Sequence, residues 1–217
     1  MCKCTHMYVF EFESQPVAPL PELRDKAGPP FTVTGLDFAG PMFCSDFPCK
    51  KFYILLFTWA VVRATHSELT DSMSVEDCML ALHKFIARRG LPSVMYSDNA
   101  KTFVAYSGQM QKVYGRISPH WKFIVPRSPW WGGWWERLIR SVKSAIRKTL
   151  SVKYVSRSEL ETLPHETEAC VNSRPLTYVG DEPNSATPLS PSHFLIGRNA
   201  STHSELDPNL FVFPLKI

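Results

Sequence analysis

The chain has 217 residues, 44% hydrophobic and 20% charged, the balance of an ordinary soluble globular protein long enough to bury one real core. The apolar run over residues 52–62 is too short to span a bilayer, and Met1-Cys2-Lys3-Cys4 leads into no signal-type apolar stretch. An intracellular protein is therefore expected, with its six cysteines as reduced thiols. The net charge of +4 is mild but uneven: Arg137, Arg140, Lys143, Arg147, Lys148, Lys153 and Arg157 follow one another with no acidic residue between them. Such a face suits a polyanion, although solvent is its commoner partner.

Residues 1–30 read as a leader, because Pro16, Pro19, Pro21, Pro29 and Pro30 prevent regular structure. Phe31 to Phe38 predicts a first strand, ended by Gly40-Pro41. Lys51–Thr58 and Ala60–Leu69 predict two more, rich in β-branched and aromatic residues. Ser74 is a candidate N-cap for a helix from Val75 to about Arg89, closed by Gly90 and Pro92. A short strand over Ser93–Asp98, a helix from Lys101 to about Tyr114 and a strand over Trp121–Val125 follow.

Ser128 to Trp135 reads as a loop by its glycines and proline. Beyond it Trp135, Leu138, Ile139, Val142, Ala145, Ile146 and Leu150 recur at helical spacing. A last helix is expected over Ser158–Asn172, kinked or delayed by Pro164. After Arg174-Pro175 the chain is proline-rich and aperiodic, so residues 176–217 are expected to be irregular. Three strands, then helix, strand, helix, strand and helix, describe an α/β domain with a mixed sheet over residues 31–175.

Three acids stand out. Asp37 interrupts an apolar strand between Leu36 and Phe38, Asp98 ends another, and Glu136 opens the long amphipathic helix behind Gly132-Gly133. Each has an ordinary alternative: Asp98 can close a side-chain turn, and Glu136 can favour the helix dipole. Asp37 is harder to dismiss, because an acid between two apolar strand residues needs a partner or a cleft. Brought together, three carboxylates would repel one another unless divalent cations neutralised them, which is what a two-metal phosphoryl-transfer site requires.

The surrounding text carries a resemblance. Val33-Thr-Gly-Leu-Asp-Phe-Ala-Gly-Pro41, Phe85-Ile-Ala-Arg-Arg-Gly-Leu-Pro92 and Tyr96-Ser-Asp-Asn99 are followed by Gly132-Gly-Trp-Trp-Glu-Arg-Leu-Ile-Arg-Ser-Val-Lys143, Val171-Asn-Ser-Arg-Pro-Leu-Thr-Tyr178 and Pro191-Ser-His-Phe-Leu-Ile-Gly197. Together they resemble the catalytic core of retroviral-type integrases, specifically those of BEL/Pao-like LTR retrotransposons. The resemblance implies an RNase H-like fold and a catalytic, metal-binding triad falling on Asp37, Asp98 and Glu136. The spacing from Asp98 to Glu136 slightly exceeds the retroviral one, implying a small loop insertion. It further implies two Mg²⁺ or Mn²⁺ ions, DNA partners (element ends and target DNA), a homo-oligomer and a nuclear site of action. No membrane partner is expected.

Arg140, Lys143 and Arg147 lie four, seven and eleven residues after Glu136, on its stripe of the helix and opposite the apolar one. A solvated surface is the plain reading; contact with DNA phosphates is favoured by their place beside the proposed metal site. The resemblance supports the same role for Arg140 and Lys143. Trp130, Trp131, Trp134 and Trp135 could stack on bases, but Trp135 fits a core position better. Cys2-Lys-Cys4, with only His6 nearby, lacks zinc-module spacing, so at most a remnant of the family's zinc domain is expected in residues 1–30. A core fragment, a decayed copy or a domesticated remnant is the resulting expectation. A non-catalytic DNA-binding or assembly module is the alternative to an enzyme.

Overall fold

The computed structural model describes residues 28–47, 49–124, 133–150, 155–177 and 188–200. Five strands form one sheet: β1 (Val33–Met42), β2 (Phe52–Trp59), β3 (Thr65–Thr70), β4 (Val94–Ser97) and β5 (His120–Phe123), in the order β3-β2-β1-β4-β5. The pairs β1–β2 and β2–β3 are antiparallel, whereas β1–β4 and β4–β5 are parallel. The helices are α1 (Val75–Arg89), α2 (Lys101–Tyr114), α3 (Gly133–Leu150), α4 (Arg157–Asn172) and the short α5 (Pro191–Ile196).

The continuous apolar run of β2 is explained by burial on both faces. On one face Leu36, Phe38, Leu55 and Phe57 pack with Cys78, Leu82 and Phe85 of α1 and Phe103, Tyr106 and Met110 of α2. On the other, Ala39, Ile54 and Leu56 meet Trp135, Ile139, Val142 and Ile146 of α3 and Leu160 and Leu163 of α4. The mixed sheet is thus flanked by helices on both faces, as the element order predicts. No helix among the described residues is long and apolar enough to cross a membrane.

Helix α1 has the expected bounds: the Ser74 side chain accepts from the Asp77 N–H, and Gly90 closes the other end at φ 89°. Four expectations need correction. Strand β1 does not stop at Gly40-Pro41 but runs through it to Met42, with a cis bond and a register irregularity between Ala39 and Met42. Proline is tolerated there because the ladder is already interrupted.

The third strand begins only at Thr65. Residues 60–64 form a turn with Arg63 at φ 58°, closed by Arg63 N–H donating to the Trp59 carbonyl at 3.0 Å. Pro164 neither delays nor ends α4, which starts at a capping box built from Ser156 and Glu159 and continues past the proline. The proline is buried, and its carbonyl accepts from the Ser67 hydroxyl at 2.9 Å, so packing on β3 offsets the lost helix bond. The region after Pro175 is not wholly irregular, since α5 forms over residues 191–196. The leader, most of the tryptophan loop and residues 201–217 lie outside the described residues.

Candidate carboxylate site and basic helix face

Asp37 lies on the α3 face of β1, two residues after Gly35. That glycine permits a close approach: a Cβ built on it would fall 2.9 Å from Cγ of Trp135 and 3.0 Å from its Cβ. The indole therefore sits directly on the strand backbone, and Glu136 follows Trp135 in the first turn of α3.

In the parallel β1–β4 pair, Val33 faces Val94, Thr34 faces Met95 and Gly35 faces Tyr96. Carried two residues further, this register sets Asp37 beside Asp98, one residue past the end of β4. Asp98 is exposed, and its Oδ1 accepts from the Ala100 N–H at 3.0 Å. The side-chain turn expected as the ordinary reading of Asp98 is thus formed, and it orients the carboxylate. Asn99 fastens the same turn to β5 by donating to the Ile124 carbonyl at 2.7 Å.

Both oxygens of Asp37 are engaged. Oδ1 accepts from the Phe38 N–H at 2.7 Å, and Oδ2 accepts from Lys143 Nζ at 2.7 Å. Burial pushes the Asp37 carboxyl above the usual carboxylate range; Lys143 and the Phe38 N–H pull the other way without cancelling it, and the Asp98 charge adds to the rise.

Lys143 is thereby a finding that sequence reasoning missed in part. It lies on the basic stripe, as expected, yet its ammonium is turned onto an acid 106 positions away. Arg140 and Arg147 on the same stripe are exposed, and among the described residues neither has an ion-pair partner. Glu136 is half-buried on that helix. Among the described residues no three His, Cys, Asp or Glu side chains are gathered closely enough to hold one metal ion.

A second charged cluster lies at the β3 edge of the sheet. His66 is 0% exposed and is gripped by Glu68 at 2.9 Å and Glu168 of α4 at 3.4 Å. Arg88 and Arg89, in the last turn of α1, pair with Glu68 at 2.8 Å and Glu168 at 2.7 Å. Burial alone would depress the His66 pKa, but its hydrogen bonds to Glu168 and Glu68 raise it above the ordinary value. Burial likewise acts to raise both glutamates, and the His66 bonds and the arginines bring them below the ordinary value instead. The signal was in the sequence: Thr65-His-Ser-Glu-Leu-Thr70 is polar for a strand beside β2, and His66 and Glu68 share one face.

Cys44, Cys49, Cys78 and Cys170 are unpaired thiols, and Trp135 is core, as its helical position predicts. No family model matches the chain, and no curated protein matches it. Among solved structures the chain is similar to one in the cryo-EM structure of a simian T-cell lymphotropic virus intasome in complex with PP2A regulatory subunit B56 gamma, with a TM-score of 0.57 at 12% identity. The match covers 86% of this chain and 58% of that chain, so this chain spans little more than half of that one's length. At this identity the likeness is one of fold, and it bears out an RNase H-like mixed sheet with flanking helices.

Proposed function

We propose that this chain is the catalytic core of a metal-dependent polynucleotidyl transferase of integrase type, of the BEL/Pao-like retrotransposon kind, acting on element ends and target DNA. The observation that carries the proposal is that Asp37 lies close enough to the Asp98 charge for it to raise the Asp37 pKa, with a cation already seated on Asp37 Oδ2. The donor set fits hard divalent ions, being carboxylate oxygens, and the Lys143 ammonium marks where positive charge is stabilised. Two Mg²⁺ or Mn²⁺ ions on Asp37, Asp98 and Glu136 would activate a water or DNA 3′-hydroxyl and stabilise the leaving oxygen.

The chain's own residues supply orientation and binding. The Phe38 N–H fixes the Asp37 carboxylate, the Ala100 N–H fixes Asp98, and Trp135 on Gly35 sets the height of α3 over β1. Arg140 and Arg147 offer two exposed cations about one and three helical turns from Glu136, suited to DNA phosphates. A nuclear, oligomeric protein is consistent with this chemistry.

The test is Mg²⁺- or Mn²⁺-dependent nicking or disintegration of a branched DNA substrate by the purified chain. Cleavage is expected, and Asp98→Asn should abolish it by removing a ligand charge at nearly constant volume. Cleavage that survives Asp98→Asn would overturn the metal mechanism. The second reading, a non-catalytic DNA-binding or assembly module, is favoured by the lack of a gathered three-acid cluster among the described residues. Salt-sensitive DNA binding without cleavage under either ion would select it.

A further inference from the structure

We infer that Lys143 is an exchangeable counter-ion, which neutralises Asp37 until a divalent cation takes its place and is then handed to a DNA phosphate. The inference rests on the reading of the carboxylates as a cation site and adds a coupling between that site and DNA.

The geometry points to an exchange. Asp37 Oδ1 already accepts from the Phe38 N–H, so Oδ2 is the freer oxygen for a cation, and Lys143 Nζ occupies it at 2.7 Å. An ammonium and a divalent ion repel each other and cannot share that contact. Nor is the lysine trapped: its side chain is 33% exposed and that of Asp37 is 27% exposed. A flexible four-carbon stem lets the ammonium leave without moving the helix, which a rigid guanidinium fork would not allow as readily.

Its destination follows from the neighbours. Arg140 precedes Lys143 by three positions and Arg147 follows it by four, so all three belong to one stripe of α3. Both arginines are exposed, and among the described residues neither is paired with an acid. A released Lys143 would complete a row of three cations. Occupancy of the carboxylate site and grip on a DNA backbone would then be linked, each strengthening the other.

The experiment measures binding rather than cleavage. Affinity for a blunt duplex is followed against salt concentration in Mg²⁺ and in EDTA, with gels confirming intact DNA, and Mn²⁺ binding to the protein alone is measured by calorimetry. Wild type should gain about one phosphate contact in Mg²⁺, steepening the log–log salt slope by about 0.9 relative to EDTA. Lys143→Met, which keeps the stem and removes the charge, should lose that difference and bind Mn²⁺ severalfold more tightly. Lys143→Arg, whose guanidinium leaves Asp37 less readily, should recover only part of that difference. Comparing the two variants' changes cancels the general competition of Mg²⁺ for DNA, and equal melting temperatures would exclude misfolding.

A slope difference that persists in Lys143→Met, or an unchanged Mn²⁺ affinity in that variant, overturns the exchange. If Asp98→Asn weakens Mn²⁺ binding while Lys143→Met leaves it unaltered, the exchange alone falls. If neither wild type nor Lys143→Met binds Mn²⁺, the carboxylate reading falls first and the exchange with it.

Discussion

Gly35 and Trp135 form the contact on which the candidate site rests. Glycine inside a strand lowers β propensity, and here its missing Cβ is what admits the indole, whose Cγ would lie 2.9 Å from such an atom. The indole has no easy retreat, since Trp135 is buried and its ring lies 5.8 Å from that of Tyr96. Gly35→Ala should therefore lift α3 and destabilise the protein by about 1–3 kcal/mol, the range for overpacking. Trp135→Ala should cost about 3–5 kcal/mol through its cavity. Urea denaturation of the double variant should show less than the sum, because the alanine then fills space the indole has left. Full additivity would show that the two residues do not meet.

Helix α4 begins at a reciprocal device. The Ser156 hydroxyl accepts from the Glu159 N–H at 3.3 Å, and the Glu159 carboxylate accepts from the Ser156 N–H at 2.7 Å. This start matters more than usual because Pro164 removes a bond from the helix interior. Ser156→Ala should lower stability by about 1 kcal/mol, the ordinary value of an N-cap. Thermal melts of Ser156→Ala, Glu159→Ala and the pair should be non-additive, since each side chain braces the same turn. The consequence reaches β3, where Ser67 donates to the Pro164 carbonyl and its N–H donates to Glu168 at 3.0 Å.

Across the molecule, β3, α1 and α4 are joined at the sheet edge by His66, Glu68, Glu168, Arg88 and Arg89. The sign of the pH dependence follows from the directions of the shifts. His66 is raised, so its contribution is complete below its unfolded value of about 6.5 and is lost as pH rises through the higher folded value. Glu68 and Glu168 are lowered, so theirs is complete above their unfolded value of about 4.5 and is lost as pH falls through the lower folded value. Stability should be greatest between these limits and decline on both sides. His66→Gln should flatten the alkaline decline and also weaken the acid one, since His66 does most to lower both glutamates, as read by urea midpoints from pH 4 to 9. An unaltered alkaline limb would show that another group titrates there. The Arg88–Glu68 pair adds little to this, because the Arg88 side chain is 48% exposed and screened by solvent.

What the amino-acid sequence by itself determined was local. The Ser74 cap and Gly90 stop bounded α1, the β-branched and aromatic run marked β2 as a strand, and the apolar stripe of α3 separated its core side from its basic side. These features depend on residues within a few positions of one another, where propensity and periodicity operate. Asp37 was conspicuous for the same reason, as an acid between Leu36 and Phe38. Tertiary structure alone decided the rest. The strand through Gly40-Pro41 and the unbroken α4 at Pro164 each set a local breaker against contacts from distant elements, and the distant contacts prevailed, while over residues 60–64 a turn closed at Arg63 took the place of the expected strand. The neighbours of the candidate site are likewise non-local: Asp98 comes near Asp37 past the end of a parallel strand pair, and Lys143 reaches it through the docking of α3 on Gly35. No spacing along the chain encodes such a meeting, because strand pairing and helix seating are fixed by burial of the whole sheet.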